Sequence, residues 1–534
     1  MSNEDFSAGQ FLLSRRQLLG SAAVMTGGVM LGAAGCSTAT GGSSAASGGA
    51  ASSSFNYGES GSFSTFNPWA QSLNEQSVAN QVFSRLVYKT ADGKPVGDLA
   101  ASWQLAGDGK SMQLKLRDGL EWQDGTKLTA MDFVTMYGYL TDPALNSDAG
   151  VQKVKKLFAP VTGVKAPDPT TVVMEFKNPV PYVLDILNFW YAVRFADPKD
   201  TNFLTKLPVG TGPFKMTNFV SGQSATFDAN PKYHVPDQPK SKSFRYSIFA
   251  SGANVVSNLQ SGQVDGVLVS NDADVKSLEG NADYFTTNVR LGVWLVAVNC
   301  TKPPFDKVEV RQALSYSMNR AQFAAVGNFG LEEPVTSPFF AAAATGYDPA
   351  LVNAQAFDLN KAKSLLEAAG VTNLAINYPS PTSHPNLQAY GEIWQSDLAK
   401  IGVKLNIQTV DNARWIDLGS GKDQTIDLVP WQVSRCLQDG AVFFAANSGF
   451  RGGAGELSRF GYKNPTLEML VAQGASVTDT AKRKQIYQQL NKIVVDDAYA
   501  ISTATFSETW AWSSKLKGQS ADLAGNLMLA NAKR

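Results

Sequence analysis

The stretch that decides the fold is Leu116–Phe133, which reads LRDGLEWQDGTKLTAMDF. It contains two Asp-Gly pairs, Asp118-Gly119 and Asp124-Gly125, six residues apart. Asp-Gly tolerates the positive φ that tight turns require, so each pair predicts a turn. Their carboxylates are also compatible with acid–base chemistry, but turn-forming aspartates are far commoner. We therefore expect a structural role for this stretch.

Helix-like and strand-like segments alternate along the chain on both sides of this stretch. Apolar residues recur at three- and four-residue steps after Asp358, and Gly370 stands where a C-terminal glycine belongs, so a helix is predicted between them. Similar spacing predicts helices around Val310–Ser317, at Leu387–Leu398 and from Thr480, and alternation predicts a strand at Val403–Ile407. This order favours an α/β fold, with the apolar stripes in its core.

Composition excludes several classes of protein. The 534 residues suggest about three domains. Lys plus Arg and Asp plus Glu number 46 each, so no basic excess indicates nucleic-acid binding. Two histidines exclude a multi-histidine metal site, and the three cysteines form no C-x-x-C. Gly109-Lys110-Ser111 lacks the preceding glycine of a P-loop, because Gln104 stands there. We expect no cofactor, no metal and no enzymatic activity.

The first 54 residues indicate where the protein is located. Ser14–Leu19 resembles a twin-arginine export signal through Arg15 and Arg16, and the uncharged stretch that follows fits a signal peptide over residues 1–35. A single anchoring helix is the alternative. Ala33–Cys36 resembles a lipobox, so cleavage would leave Cys36 to be lipidated. Residues 37–54 are only Ser, Thr, Ala and Gly, and we expect 36–54 to be a flexible tether with a reach of about 20–25 Å.

Three neighbouring motifs carry a family resemblance. Leu99–Trp103, Asp108–Lys110 and Leu116–Phe133 together resemble the signature of the peptide/nickel-type solute-binding proteins of ABC importers. Supporting motifs follow in the family's order: Gly210–Phe214 (GTGPF), Asn230–Tyr233 (NPKY), Leu259–Asp265 (LQSGQVD), Val310–Leu314 (VRQAL) and Lys361–Gly370 (KAKSLLEAAG). The resemblance extends from about Phe55 to the C-terminus.

The resemblance implies a two-lobed, periplasmic-binding-protein-like α/β fold with an extra inserted domain. Lobe 1 would combine domain I (55–88, 200–288 and 505–534) with the inserted domain II (89–199), and lobe 2 would be domain III (289–504). It also implies a monomeric receptor that closes on a small solute and delivers it to an ABC permease with its ATPase subunits. With the lipid anchor, the protein would sit on the outer face of the cytoplasmic membrane.

The resemblance also bears on the solute. In peptide-binding members, an aspartate after a strand that ends in tryptophan pairs with the peptide's α-amine. Here Trp431 matches the tryptophan, but Ser434 holds the aspartate's place and Arg435 follows; Asp439 is the alternative carboxylate. The arginine that binds a dipeptide's carboxylate is also missing, because residues 371–413 contain none. We therefore expect longer or modified peptides, oligosaccharides or anionic solutes.

Candidate ligand contacts come from the loops and strands that the resemblance places at the cleft. They are Phe63, Ser64, Thr65, Tyr378, Trp415, Trp431, Gln432, Ser434, Arg435 and Phe444. Trp69 and Trp294 are further aromatic candidates for stacking. His384 could be a nickel ligand, but a turn histidine before Pro385 is the simpler interpretation. Pairing of Cys300 with Cys436 stays open.

Two further function classes share these sequence features. A lipoprotein that binds a solute for sensing or adhesion, without transport, would have the same signal and motifs. An extracellular hydrolase would need a paired acid and base, and no spacing in the sequence suggests one.

Overall fold

The computed structural model describes residues 53–61, 66–69, 73–142, 154–155, 157–194, 207–249, 252, 255–269, 271–421, 423, 425–434, 439–446 and 461–534. Several sequence predictions fall outside these ranges, namely the export signal with Arg15 and Arg16, Cys36, most of the tether, Phe63, Ser64, Thr65, Arg435 and Cys436. The first strand begins at Ser54, inside the expected tether, because Ser54 already pairs with Ser243.

An eight-stranded mixed sheet forms the centre of the structure, in the order β15-β12-β16-β11-β1-β10-β9-β8. The strands of the described residues are β1 (Ser54–Ser60), β2 (Val87–Lys89), β3 (Pro95–Gly97), β4 (Ala100–Leu105), β5 (Ser111–Leu116), β6 (Val161–Asp168), β7 (Thr171–Phe176), β8 (Phe214–Val220), β9 (Ser224–Ala229), β10 (Ser243–Phe249), β11 (Gly266–Val269), β12 (Tyr284–Val298), β13 (Ala375–Pro381), β14 (Lys404–Val410), β15 (Leu428–Ser434), β16 (Ala500–Ser513), β17 (Ser520–Ala521) and β18 (Leu527–Met528). β1 pairs in parallel with β10 and β11, and β4-β5-β7-β6 form a second, antiparallel sheet.

Helices pack against these sheets and alternate with the strands, as predicted. They are Leu73–Val82, Ala130–Thr141, Val183–Leu187, Val255–Gln260, Asp272–Leu278, Val308–Tyr316, Arg320–Gln322, Leu359–Ala368, Pro385–Ala399, Asn412–Gly419, Gly440–Ala446, Pro465–Ser476 and Thr480–Asp497. The helix predicted after Asp358 is confirmed: the Asp358 side chain accepts a hydrogen bond from the Lys361 backbone N–H, and Gly370 has φ +67°. The helices at Val308, Pro385 and Thr480 and the strand β14 are confirmed as well.

Two large hydrophobic cores divide the described residues. The first core takes its residues mainly from between Phe55 and Tyr246 and from the C-terminal segment after Trp510. The second core takes its residues from between Val293 and Ala504. β12 and β16 pair antiparallel over most of their length and run from one core into the other, so they join the two.

The deciding stretch forms the two predicted turns. Gly119 and Gly125 have φ values of +69° and +84°, which an L side chain would strain. The Asp124 carboxylate accepts a hydrogen bond from the backbone N–H of Thr126 at 2.9 Å, so this aspartate serves the turn. The helix that follows, Ala130–Thr141, is capped by Thr129, whose backbone N–H donates to Asp132 at 2.7 Å.

The separate sequence motifs meet in this part of the fold. The Gln123 side chain donates to the Phe214 carbonyl at 2.7 Å and accepts from the Gly210 N–H at 3.1 Å, and the Asn230 amide donates to the Gly212 carbonyl at 2.9 Å. A Cβ added at Gly210 would lie 2.0 Å from the Val82 carbonyl oxygen, so the backbones approach too closely for a side chain. These motifs therefore hold the first core together rather than carry chemistry.

Candidate functional site

A cavity of about 310 Å³ lies where β12 and β16 pass between the two cores. Asn271 and Asp272, which follow β11, line it from the side of the first core. Trp294 on β12, Gln432 on β15 and His384 line it from the side of the second core. Residues 506–509 of β16 complete the wall. Both parts of the structure thus contribute to one cavity.

A larger cavity, of about 570 Å³, lies entirely on the side of the first core. Two of its charged wall residues are already paired, because Arg85 donates to Asp522 at 2.6 Å and Asp98 lies 2.8 Å from His234. We take the smaller cavity as the candidate site, because it alone of these two is lined by residues from both sides.

Aromatic rings form one wall of the site. The Trp294 ring centroid lies 5.3 Å from that of His384 and 5.2 Å from that of Phe506. The series continues from His384 to Trp415 at 4.6 Å and from Trp415 to Trp431 at 4.4 Å. Such faces can pack against apolar groups, sugar rings or cations.

His384 is held in this wall by local structure. It occupies the N-cap position of the helix Pro385–Ala399, with proline as the first helical residue. The hydroxyl of Ser383 lies 2.8 Å from its Nδ1. Burial lowers the pKa of His384 to about 4, so the ring is neutral at neutral pH.

Three acidic residues, Asp272, Glu332 and Glu508, are among those that line the cavity. Glu508 is 7% exposed, and burial raises its pKa well above the usual range, with further contributions from Glu59 and Asp522. Burial also raises the pKa values of Asp272 and Glu332. Loss of water makes a carboxylate costly to ionise, and in all three groups this effect is the largest cause of the raised pKa.

Two of these carboxyls have hydrogen-bond donors. Asp272 accepts from the Asn328 amide at 2.7 Å, and Glu332 accepts from the Thr505 hydroxyl and from the Ser507 hydroxyl at 3.1 Å. Among the described residues, no hydrogen bond or ion pair reaches the carboxyl of Glu508.

Two amide groups of the lining residues also have a polar atom without a partner among the described residues. Asn386 Nδ2 and Gln432 Oε1 are buried and make no hydrogen bond within the described part of the chain. Both residues line the cavity. The site therefore holds polar groups that the fold leaves unsatisfied, which is unusual for buried positions.

The structure places the predicted contact residues in three different settings. Gln432 lines the cavity, and Ser434 lies exposed at the end of β15. Trp431 is half-buried and packs over Gly419, where an added Cβ would lie 2.0 Å from its ring.

The remaining three described candidates lie in the second core. Tyr378 is 1% exposed and donates its hydroxyl proton to the Leu387 carbonyl at 2.8 Å. The Trp415 indole N–H donates to the Pro430 carbonyl at 2.8 Å, and Phe444 is fully buried. The apolar side chains and paired polar atoms of these three residues suit packing in the core. Direct contact of Tyr378, Trp415 or Phe444 with a ligand therefore stays a prediction.

Asp439, the alternative amine anchor, is already occupied. Its carboxylate accepts two hydrogen bonds from Arg483, both at 2.7 Å, and one from the Ala441 backbone N–H at 2.9 Å. Its side chain is 8% exposed. A carboxylate with this many donors has little capacity left for a solute amine.

Sequence reasoning missed Asp272, Glu332 and Glu508. One signal was available for Glu508, which is the single charged residue between Asp497 and Lys515, in a run of apolar and hydroxyl residues. A lone acid in an apolar strand indicates a buried carboxyl, which calls for a functional explanation. Asp272 and Glu332 have no such signal, because they come from segments 60 residues apart in the sequence.

Neither a metal-ligand cluster nor a membrane-spanning helix occurs among the described residues. No group of three or more His, Cys, Asp or Glu side chains there is placed to hold a metal ion. No helix among them combines the length and apolar character needed to cross a bilayer. Cys300 forms no disulfide within the described ranges, and burial raises its pKa to about 11.

Comparison with known proteins shows the family. Residues 94–449 match the bacterial extracellular solute-binding proteins, family 5, and the chain belongs to that family. The Oligopeptide-binding protein OppA of Bacillus subtilis is 25% identical, over 85% of this chain and 88% of its own length. The Glutathione-binding protein GsiB of Escherichia coli is also 25% identical, over 86% and 90% respectively.

Solved structures show the same fold. The ABC transporter substrate-binding protein CtaP from Listeria monocytogenes superposes with a TM-score of 0.80 at 21% identity, covering 90% of this chain and 99% of its own. The fold is thus the two-lobed α/β architecture of periplasmic binding proteins, and the protein is a solute-binding protein.

Proposed function

We propose that this protein is the receptor of an ABC importer, which captures a peptide-like or oligosaccharide solute between its two lobes and passes it to the permease. One observation carries the proposal: residues on either side of the connecting strands, Asp272 and His384 among them, line a single cavity. Membership of the extracellular solute-binding family and the relatives named for oligopeptide and glutathione support it.

Closure follows from this geometry. A solute that contacts both walls binds the closed arrangement better than an open one, so it shifts the equilibrium toward closure. The strands β12 and β16, which join the two cores, are the natural place for the hinge. The closed form would then present the loaded protein to the permease and its ATPase subunits.

The wall chemistry bears on the solute class. Stacking faces next to carboxyl and amide groups suit both peptides and sugars. Ser434 in place of an aspartate and Asp439 paired with Arg483 argue against the amine anchor of peptide-binding relatives. Phe63, Ser64, Thr65 and Arg435 remain proposed contacts from loops next to the cleft.

We propose the domain layout that the resemblance implied. Domain I comprises residues 55–88, 200–288 and 505–534, domain II is the insertion 89–199, and domain III is 289–504. The first core includes residues from the first two, and the second core lies within the third. Limited proteolysis should cut between these segments before it cuts within them.

We propose that the protein is a lipoprotein on the outer face of the cytoplasmic membrane. Export through Arg15 and Arg16 and lipidation of Cys36 would place a monomeric receptor next to its permease. Two or more acyl chains anchor stably where one is marginal. Cys36→Ser should move the protein from the membrane fraction to the soluble fraction; retention in the membrane would contradict the anchor.

A non-enzymatic role fits the proposal, since the relatives are named as binding proteins. The test is uptake. Deletion should abolish import of the solute, and the intact gene should restore it. Normal uptake without the protein would leave the sensing or adhesion alternative, and turnover of a bound solute would indicate a hydrolase. The solute itself can be found by thermal unfolding, because ligand at 100 times its Kd stabilises the fold by about 2.7 kcal/mol.

A further inference from the structure

The larger cavity, on the side of the first core, lies apart from the candidate site. Its volume of about 570 Å³ falls within the roughly 300–1,000 Å³ of small-molecule sites. Its wall comes from within residues 80–98, 233–238 and 520–531, together with Arg117 and Pro213. None of these residues lines the cavity between the two cores. The fold therefore holds a second space of ligand size that the transport cleft does not use.

Much of the wall of this second cavity is apolar. Phe83 and Leu529 are buried there, and Val96, Val235 and Met528 line it as half-buried side chains. A hydrocarbon group that enters such a space leaves water and gains free energy in proportion to the area it buries. The wall is thus suited to the apolar part of a ligand.

Two tyrosine hydroxyls in the wall lack partners. Within the described part of the chain, no hydrogen bond reaches the hydroxyl of Tyr88 or Tyr233. The two phenols lie near each other, because Tyr88 contributes to the raised pKa of Tyr233, after burial and Asp98. Asn80, which also lines the cavity, keeps an amide Nδ2 without a described partner, although its Oδ1 accepts from Tyr191 at 3.1 Å. The wall therefore holds donors that the fold leaves unused.

One positive charge in the wall is held in place without an acid to pair with. Arg117 donates through Nε to the Asp98 carbonyl at 2.7 Å and through Nη2 to the Gly97 carbonyl at 3.0 Å. No carboxylate of the described residues forms an ion pair with it. Its remaining N–H groups and its full charge are thus free for an anion. The other arginine of the wall, Arg85, is already paired with Asp522.

The acids of the wall are engaged. The Asp98 carboxylate contacts His234 at 2.8 Å and accepts from the Arg85 backbone N–H at 2.8 Å. Asp92, at the exposed rim, pairs with Lys94 at 2.7 Å. An incoming anion therefore meets an uncompensated guanidinium, and no acid of the described wall is without a partner.

We propose that this cavity is a second ligand site, which binds a small apolar carboxylic acid in its ionised form. Arg117 and the hydroxyls of Tyr88 and Tyr233 bind the carboxylate, and the apolar wall takes the hydrocarbon part. A guanidinium fixed by backbone carbonyls presents its other N–H groups to a carboxylate with little loss of side-chain freedom. The inference goes beyond the proposed function, because the site lies outside the cleft that captures the transported solute.

The experiment compares probes that share an apolar part and differ in charge. The probes are octanoate with octanamide, 4-phenylbutyrate with its amide, and octylamine as the cation. Each is titrated into the full chain by calorimetry at pH 7.5. We expect at least one acid to bind with one-to-one stoichiometry and at least about tenfold more tightly than its amide. Octylamine should bind no better than octanamide.

Three variants assign the binding to this cavity. Arg117→Gln should weaken binding of the acid by about 10- to 100-fold and change that of the amide little. Tyr233→Phe removes a hydroxyl without a described partner, so it should keep the melting temperature and weaken the acid by about 2- to 10-fold. Arg245→Gln is the matched control, because Arg245 is exposed on β10 and lies outside the cavity wall.

The site is overturned if no probe binds, or if acid and amide bind equally. It is also overturned if Arg245→Gln weakens the acid as much as Arg117→Gln does, because the effect would then be one of general charge. If Arg117→Gln fails to fold, Tyr233→Phe decides, and an unchanged affinity for the acid would contradict the site. None of these results bears on the receptor role, which the uptake test judges.

Discussion

At the scale of single residues, Glu508 is a buried acid whose ionised form costs stability. Its pKa is raised in the folded protein by burial and by Glu59 and Asp522, whereas an unfolded glutamate titrates near about 4.3. Asp522 is itself paired with Arg85, so no free cation among these groups offsets the charge.

The sign of the pH dependence follows from that order of pKa values. Because the folded pKa lies above the unfolded one, ionising Glu508 costs stability as the pH rises from about 4.3 through the folded pKa. Glu508→Gln should therefore raise the free energy of unfolding of the ligand-free protein at pH 7.5, by about 1–3 kcal/mol. Near pH 4 the two proteins should differ little.

Urea unfolding at pH 4 and pH 7.5 measures this difference, with Glu333→Gln as the control that should show no such trend. A Glu508→Gln variant that is less stable than the parent at pH 7.5 would show that the carboxylate is paired in the free protein. That result would remove the basis for an unpaired acid in the cavity.

Residue-level prediction from the sequence succeeded where the information was local. Gly119, Gly125 and Asp124 form the expected turns, because a turn is specified by residues adjacent in the chain. The acids of the cavity were missed, because Asp272, Glu332 and Glu508 lie 60 or more positions apart in the sequence. Only the folded chain brings Asp272 and Glu332 close together, and only the pairing of β16 buries Glu508.

At the scale of elements, the close pairing of β12 with β15 depends on Gly292. A Cβ at this position would lie 1.7 Å from the Val433 carbonyl oxygen, and the pairing of β12 with β16 shifts register between Arg290 and Gly292. Real Cβ atoms do not approach oxygen so closely, so the strands would have to separate. The irregularity lies on the strand pair that joins the two cores.

Gly292→Ala should therefore lower the free energy of unfolding by about 2–4 kcal/mol, as expected for overpacking against backbone. Gly107→Ala is the matched control, because no atom lies within 4 Å of the added Cβ. It should stay within about 0.5 kcal/mol of the parent. Chemical denaturation of the parent, Gly292→Ala and Gly107→Ala measures the free energy of unfolding of each. If Gly292→Ala were as stable as the parent, β12 and β15 would be able to move apart without cost.

Elements with a complete local signature were predicted well, and connecting strands less so. The helix Leu359–Ala368 has an N-cap at Asp358 and a glycine after its end, so its bounds follow from the sequence. The sequence did not reveal that β12 and β16 are 15 and 14 residues long and continue through the expected boundaries at 289 and 504. A strand that passes between two cores changes neighbours without changing its own alternating pattern.

At the scale of the whole molecule, the two cores also touch away from β12 and β16. Val442, in the helix Gly440–Ala446, is buried in the first core, whereas its neighbours Phe443 and Phe444 are buried in the second. Thr478 approaches Gly109 so closely that an added Cβ there would lie 2.9 Å from its methyl group. These contacts join the lobes at a second place, as a closed cleft requires.

Val442→Ala tests whether this contact belongs to closure. Removing two buried carbons should cost about 1–2 kcal/mol, and if the contact exists only when the cleft is closed, the loss falls on the closed state alone. The dissociation rate of a solute found in the thermal screen should then rise by about 5- to 30-fold, because closure is what retains it. Stopped-flow release of a labelled solute measures this rate.

Val471→Ala is the matched control, because Val471 is buried within the second core. Its substitution removes the same two carbons. It should lower the melting temperature without changing the dissociation rate, since open and closed forms lose the same packing. A Val442→Ala variant that behaves in this way too would show that the contact persists in both forms. The helix Gly440–Ala446 would then be a permanent link between the lobes, and the hinge would have to act with that link in place.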